Sequence, residues 1–108
     1  MKTILITGAA GFLGSHLIKQ STYHPDCNVI AADIDKNKIL AASNVTTISN
    51  DELFLIDSLE IDTVINCAFA RGNIVSALVS ALRFNERLIS KLKALGAKSI
   101  INISSQGL

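Results

Sequence analysis

The stretch Thr3-Ile-Leu-Ile-Thr-Gly-Ala-Ala-Gly-Phe-Leu-Gly-Ser-His-Leu17 decides how the rest of the chain is read. Residues 2–7 form a short apolar strand, glycines follow at 8, 11 and 14, and helical periodicity starts at Phe12. Gly8 lets the chain leave the strand through dihedrals that a side chain forbids. Gly11 lets the backbone approach a phosphate closely, and Gly14 lets the new helix press against the sheet. The first turn of that helix has N–H groups without partners and about half a positive charge aimed at the loop. Residues 7–14 therefore read as bare peptide nitrogens offered to a diphosphate. The spacing is G-x-x-G-x-x-G with no Gly-Lys-Ser/Thr ending, which excludes a nucleoside-triphosphate P-loop.

A second apolar run, 29–32, ends in Asp33. The acid after the second strand weighs against a strand-to-helix turn that binds nothing. Its separation from the glycines suits a carboxylate that accepts from ribose hydroxyls. Such a carboxylate repels a 2′-phosphate, which favours NAD over NADP. Lys36 and Lys38 follow closely, and a lysine there can pair with a phosphate; solvated loop charges are the simpler reading of both.

Thr7-Gly-Ala-Ala-Gly-Phe-Leu-Gly14 resembles the cofactor loop of the extended short-chain dehydrogenase/reductases, in the branch of NAD-dependent epimerases and dehydratases. The resemblance continues at Ile61-Asp-Thr-Val-Ile-Asn-Cys-Ala68 and at Ile101-Asn-Ile-Ser-Ser105, in the family's order and over nearly the whole chain. It implies an α/β fold: a Rossmann-type doubly wound parallel sheet in the order 3-2-1-4-5, truncated after the fifth strand. The cofactor would lie over the strand tips, at the switch between strands one and four. Residues 1–108 would be the amino-terminal part of a NAD(P)-binding domain, with the rest of the catalytic domain and the substrate domain absent.

The resemblance also implies roles. Gly8, Gly11, Phe12, Leu13, Gly14, Asp33, Ala68, Ala70 and Arg71 become the cofactor-binding set, with NAD as cofactor and NADP as the lesser alternative. Ala68 and Ala70 are small enough for the pyrophosphate and nicotinamide ribose to pass over them. Phe69 either walls the nicotinamide side or fills the core, and Arg71 either faces the phosphates or is a surface arginine. By spacing, Ser105 matches the family's catalytic serine, with Ser104 as runner-up. A hydroxyl there donates and accepts, so it can hold the substrate oxygen that loses a proton. The implied reaction is hydride transfer at a carbon of a nucleotide sugar. In relatives the long helix packs on another subunit, so 73–95 is a homodimer candidate.

The remaining elements follow in order. A helix is expected from 12 to 21, with Leu13, Leu17 and Ile18 toward the sheet and His16 and Lys19 outward. Residues 23–28 form a turn, and a short helical turn runs to about 42. Strands are expected at 45–48, 63–67 and 99–103. Asn50 or Asp51 caps a trimmed helix before 60, with Asp51 read as a cap rather than an adenine contact and Asp57 exposed. On 73–95, Val75, Leu78, Val79, Leu82, Ile89 and Leu92 make one broad apolar face. Asn85 interrupts it, as a buried polar group with a partner or, the preferred reading, on its margin. Gly96 ends the helix.

Composition agrees with that architecture. Of 108 residues 49% are hydrophobic, proline occurs once, and the net charge is +1 with neither sign clustered. A chain of this length buries about 65% of its unfolded surface as one domain. Nothing points to nucleic acid or an anionic membrane, and the first apolar run is too short for a span. Cys27 and Cys67 are expected as reduced thiols in a cytoplasmic protein, Cys67 as a buried small hydrophobe. No metal site is expected.

One part of the family pattern is missing. Its acid/base is a tyrosine with a lysine four residues later, and the only tyrosine here is Tyr23, in a turn and without that lysine. The chain alone is therefore expected to be inactive, since such proton transfer contributes about 10²–10⁴-fold. The alternative function is a non-catalytic NAD(P)-binding or regulatory module.

Overall fold

The computed structural model describes residues 2–57, 60–67 and 75–103. Five apolar runs become parallel strands: β1 (Lys2–Thr7), β2 (Cys27–Asp33), β3 (Val45–Ser49), β4 (Thr63–Asn66) and β5 (Ser99–Asn102). They lie in the expected order, β3-β2-β1-β4-β5. Three helices connect them: α1 (Phe12–Ser21), α2 (Asn50–Leu55) and α3 (Val75–Leu95). The winding runs outward from β1 to β3, then returns to β4 on the other side of β1. That reversal opens a crevice at the carboxyl ends of β1 and β4.

Side chains alternate across the pleat, so one sheet feeds two cores. Ile6, Val29 and Ala31 face α1 with Ile18 and Ile39, while Leu5, Ile30, Ala32 and Val64 face α2 and α3 with Leu53, Leu88, Leu92 and Leu95. A strand buried on both faces must be apolar throughout, which explains the uninterrupted runs in β1 and β2.

Several boundaries differ from expectation. β2 begins at Cys27, because Cys27 and Asn28 pair with Lys2 and Thr3 and draw the end of the turn into the ladder. β3 runs one residue longer than expected, while β4 and β5 each end one residue earlier. The helical turn expected to reach 42 is a single 3-10 turn, Lys36–Lys38, whose Asn37 N–H donates to the Asp35 carboxylate at 3.0 Å. Neither Asn50 nor Asp51 caps α2. Ser49 does, in a capping box: its Oγ accepts from Glu52 N–H at 3.1 Å and Glu52 Oε1 accepts from Ser49 N–H at 3.1 Å. Asp57 is exposed, as expected.

The largest difference is on α3. Leu88, Leu92 and Leu95 form its buried side, while Val75, Val79, Leu82 and Ile89 are 72%, 39%, 63% and 51% exposed. What reads as one broad apolar face is two stripes, of which Leu92 belongs to the sheet side. Asn85 is half-buried, between the two stripes' extremes of exposure, and it has a partner: its Oδ1 accepts from Asn66 Nδ2 at 3.0 Å.

Candidate functional site

At the tip of β1 the chain turns through Gly8, whose φ of 68° is left-handed. Gly11 stands at the N-cap of α1 with extended backbone and supplies no side-chain cap. Part of the expected row of bare nitrogens is already paired. Ala9 N–H donates to Ala32 O at 3.1 Å, Ala10 N–H to Asp33 Oδ2 at 2.9 Å, and Gly11 N–H to Gly8 O at 3.1 Å. Within α1 the first amide satisfied is that of Ser15, onto Gly11 O at 2.9 Å. The open groups are therefore the amides of Phe12, Leu13 and Gly14, which have no acceptor among the described residues. The candidate anion site is thus narrowed to the first turn of α1 rather than the whole of 7–14, and that turn contains no acidic residue.

Gly14 has a tighter role than contact with the sheet. A Cβ there would meet Gly8 O at 2.4 Å and Ala9 Cα at 2.7 Å, so helix and loop backbones touch directly. This contact holds the open amides against the strand tip. Phe12 projects outward and meets His16 edge to face at a centroid distance of 4.6 Å. His16 and Lys19 are exposed, as expected, and with Lys38 they line a shallow groove along the outer side of α1 that begins at Ala10 and Gly11.

Asp33, the last residue of β2, is fixed by two backbone donors: Ala10 N–H on Oδ2 at 2.9 Å and Ile34 N–H on Oδ1 at 2.7 Å. Each carboxylate oxygen has a further lone pair for a hydroxyl. Lys36 is not a free loop charge. Its Nζ lies 2.8 Å from Glu52 Oε1, and that contact, followed by Ser49 N–H, holds the Glu52 carboxyl below its ordinary 4.5. Ala68, Phe69, Ala70, Arg71, Ser104 and Ser105 lie outside the described residues.

The floor leading to those segments contains a polar network that residue patterns did not reveal. Thr7, Asn66 and Asn102 end β1, β4 and β5 in one register. Asn66 accepts from Thr7 Oγ1 at 2.6 Å and donates through Nδ2 to Asn85 Oδ1 at 3.0 Å and Asn102 Oδ1 at 3.1 Å. Only the strand register, known once the sheet order is known, shows that these residues meet. Cys67 is buried beside them, and burial pushes its thiol up, so it stays protonated at neutral pH. Among the described residues no three His, Cys, Asp or Glu side chains are placed to hold a metal, and no helix is long and apolar enough to cross a membrane.

A parallel sheet wound in this order, with a glycine turn at the tip of β1 and an acid at the tip of β2, is a Rossmann-type nucleotide fold. The profile of the NAD dependent epimerase/dehydratase family matches residues 4–108, and the chain belongs to that family. A dTDP-4-dehydro-6-deoxy-D-allose reductase from Streptomyces bikiniensis is 29% identical over 106 residues, covering 84% of this chain and 32% of the relative. Uronate dehydrogenase from Agrobacterium tumefaciens superposes with a TM-score of 0.75 at 19% identity, over 97% of this chain and 41% of that one. UDP-glucuronic acid 4-epimerase from Bacillus cereus, solved with NAD, gives 0.76 at 23% identity, over 96% and 40%. The two solved neighbours share the fold. The chain thus spans about a third of the curated relative and about two-fifths of each solved neighbour.

Proposed function

We propose that this chain is the dinucleotide-binding part of an NAD-dependent enzyme that exchanges hydride at a carbon of a nucleotide sugar, as an epimerase, dehydratase or reductase. The observation that carries the reading is the juxtaposition at Ala10. Its N–H is held by Asp33 while the next helical amides, from Phe12 to Gly14, open on the same side of the strand tips. A diphosphate on those amides and a ribose on Asp33 are the two fixed points of one dinucleotide. Gly8 and Gly14 keep the loop close enough for both.

In this reading the amides of Phe12, Leu13 and Gly14 hold the pyrophosphate, Gly11 leaves room for its approach, and Asp33 holds the adenosine ribose. Ala68 and Ala70 let the cofactor pass over the backbone, with Arg71 near its phosphates. When bound, the nicotinamide supplies and receives hydride at the sugar carbon. Ser105 holds the oxygen on that carbon as its proton leaves. Tyr23 is exposed in the turn before β2, at the opposite edge of the sheet from the glycine loop, so it cannot take that proton. In this reading Tyr23 is not the acid/base, and residues 1–108 alone do not turn over substrate. Two free thiols fit a cytoplasmic setting. The outward stripe of α3 fits pairing with a second copy.

Calorimetric titration of NAD and NADP into the folded chain tests this. Saturable binding with NAD the tighter is expected. A chain that is folded by circular dichroism yet binds neither dinucleotide would rule the reading out.

A further inference from the structure

Building on the dinucleotide reading, we infer that Glu52 decides between NAD and NADP by holding Lys36 away from the ribose 2′ position. Asp33 and Ser49 are register partners at the tips of β2 and β3. From Asp33 the chain passes through Lys36 to Ile39, which packs in the α1 core, whereas from Ser49 it enters α2, whose Leu53 packs in the opposite core. The 2.8 Å contact of Lys36 Nζ with Glu52 Oε1 therefore crosses the carboxyl edge of the sheet and joins the two helix layers just outside Asp33.

Glu52 is prepared for this contact. The same Oε1 accepts from Ser49 N–H, so the capping box sets the carboxylate in place whether or not the lysine arrives. A ribose on Asp33 then has Asp33 on one side and the Lys36–Glu52 pair on the other. A 2′-phosphate would meet two carboxylates and a lysine whose charge is already matched. An unmodified ribose carries no charge there and needs only the acceptors. Lys38, the other cation of the turn, lies instead along the α1 groove.

The test is titration of NAD and NADP into the wild-type chain, E52Q, and the double variant E52Q/K36M, with melting curves to confirm folding. Glutamine keeps the capping box, because its amide oxygen still accepts from Ser49 N–H. In E52Q Lys36 loses its charged partner and keeps at most a neutral bond to the amide oxygen, so NADP affinity relative to NAD is expected to rise by about tenfold, the effect of one charge-assisted hydrogen bond. In the double variant that gain should vanish. An unchanged ratio in E52Q, a gain that survives loss of Lys36, or wild type binding both dinucleotides equally would each overturn the inference while leaving dinucleotide binding intact. No binding of either by the folded wild type would remove both readings together.

Discussion

Thr7 Oγ1 donates to Asn66 Oδ1 at 2.6 Å, and both residues are buried, at 0% and 6% exposure. This bond joins the last residues of β1 and β4, the two strands between which the sheet reverses its winding. Through its amide nitrogen Asn66 also holds Asn85 of α3 and Asn102 of β5, so one side chain ties three strands and a helix. Thr7→Val should cost about 1–3 kcal/mol, because it keeps the shape and leaves one buried acceptor bond unmade. Asn66→Leu should cost more, since the Thr7, Asn85 and Asn102 groups all lose a partner at once. Urea denaturation of the two variants checks the order; equal losses would mean that the network is not organised around Asn66.

Gly14→Ala puts a methyl where the loop backbone has no room for one. Its Cβ would sit 2.4 Å from Gly8 O, a backbone atom that cannot rotate aside. The helix start must shift, and with it the open amides of Phe12 and Leu13. Gly8→Ala is expected to be milder in stability, at about 1–2 kcal/mol for a left-handed residue. Titration with NAD should show binding abolished in Gly14→Ala. Retained affinity there would mean that the helix amides do not hold the phosphates.

These two sites show why the sequence reveals some features and hides others. The strands themselves, Gly8 and Asp33 are legible because each depends on local chemistry: an apolar run, a left-handed turn, an acid at a strand end; the strand order comes from the resemblance to a family and not from any local signal. The cap of α2 is misread from sequence: Ser49-Asn-Asp-Glu52 carries the spacing of a capping box, but Asn50 and Asp51 beside it are equally good cap types and draw the reading. The Asn66 network and the Lys36–Glu52 pair were not legible. Their members are 16 to 59 residues apart and meet only through strand register. The division of α3 into two stripes was hidden for a related reason. Helical periodicity reports which residues share a face, but not which of two apolar stripes meets the sheet.

Asp62 gives the chain a pH-dependent tie at the amino edge of the sheet. Thr3 N–H donates to Oδ2 at 2.9 Å and Lys98 Nζ lies 3.4 Å from Oδ1. The backbone bond first, and the lysine after it, hold this carboxyl below its ordinary 3.8. A carboxyl lowered in the folded state stabilises above its unfolded value and loses that contribution as pH falls through its folded value. Wild type should therefore melt above Asp62→Asn at neutral pH. The difference should shrink as pH is lowered below 3.8. Thermal melts across that range check it, and a gap that widened with acid would contradict the assignment.

The two stripes of α3 should respond to substitution in opposite ways. Leu88→Ala opens a cavity against the sheet and should lower stability by about 2–5 kcal/mol. Leu82 is 63% exposed, in line with Val75, Val79 and Ile89 at the spacing of adjacent helical turns. Such a row on a surface helix is costly in water unless another helix covers it. If a second copy covers it, Leu82→Glu should split a dimer into monomers while leaving the monomer folded, because that side chain supports neither core. Sedimentation equilibrium of wild type and Leu82→Glu distinguishes the outcomes. A wild-type chain that is monomeric at every concentration would show that the stripe is not covered by a second copy.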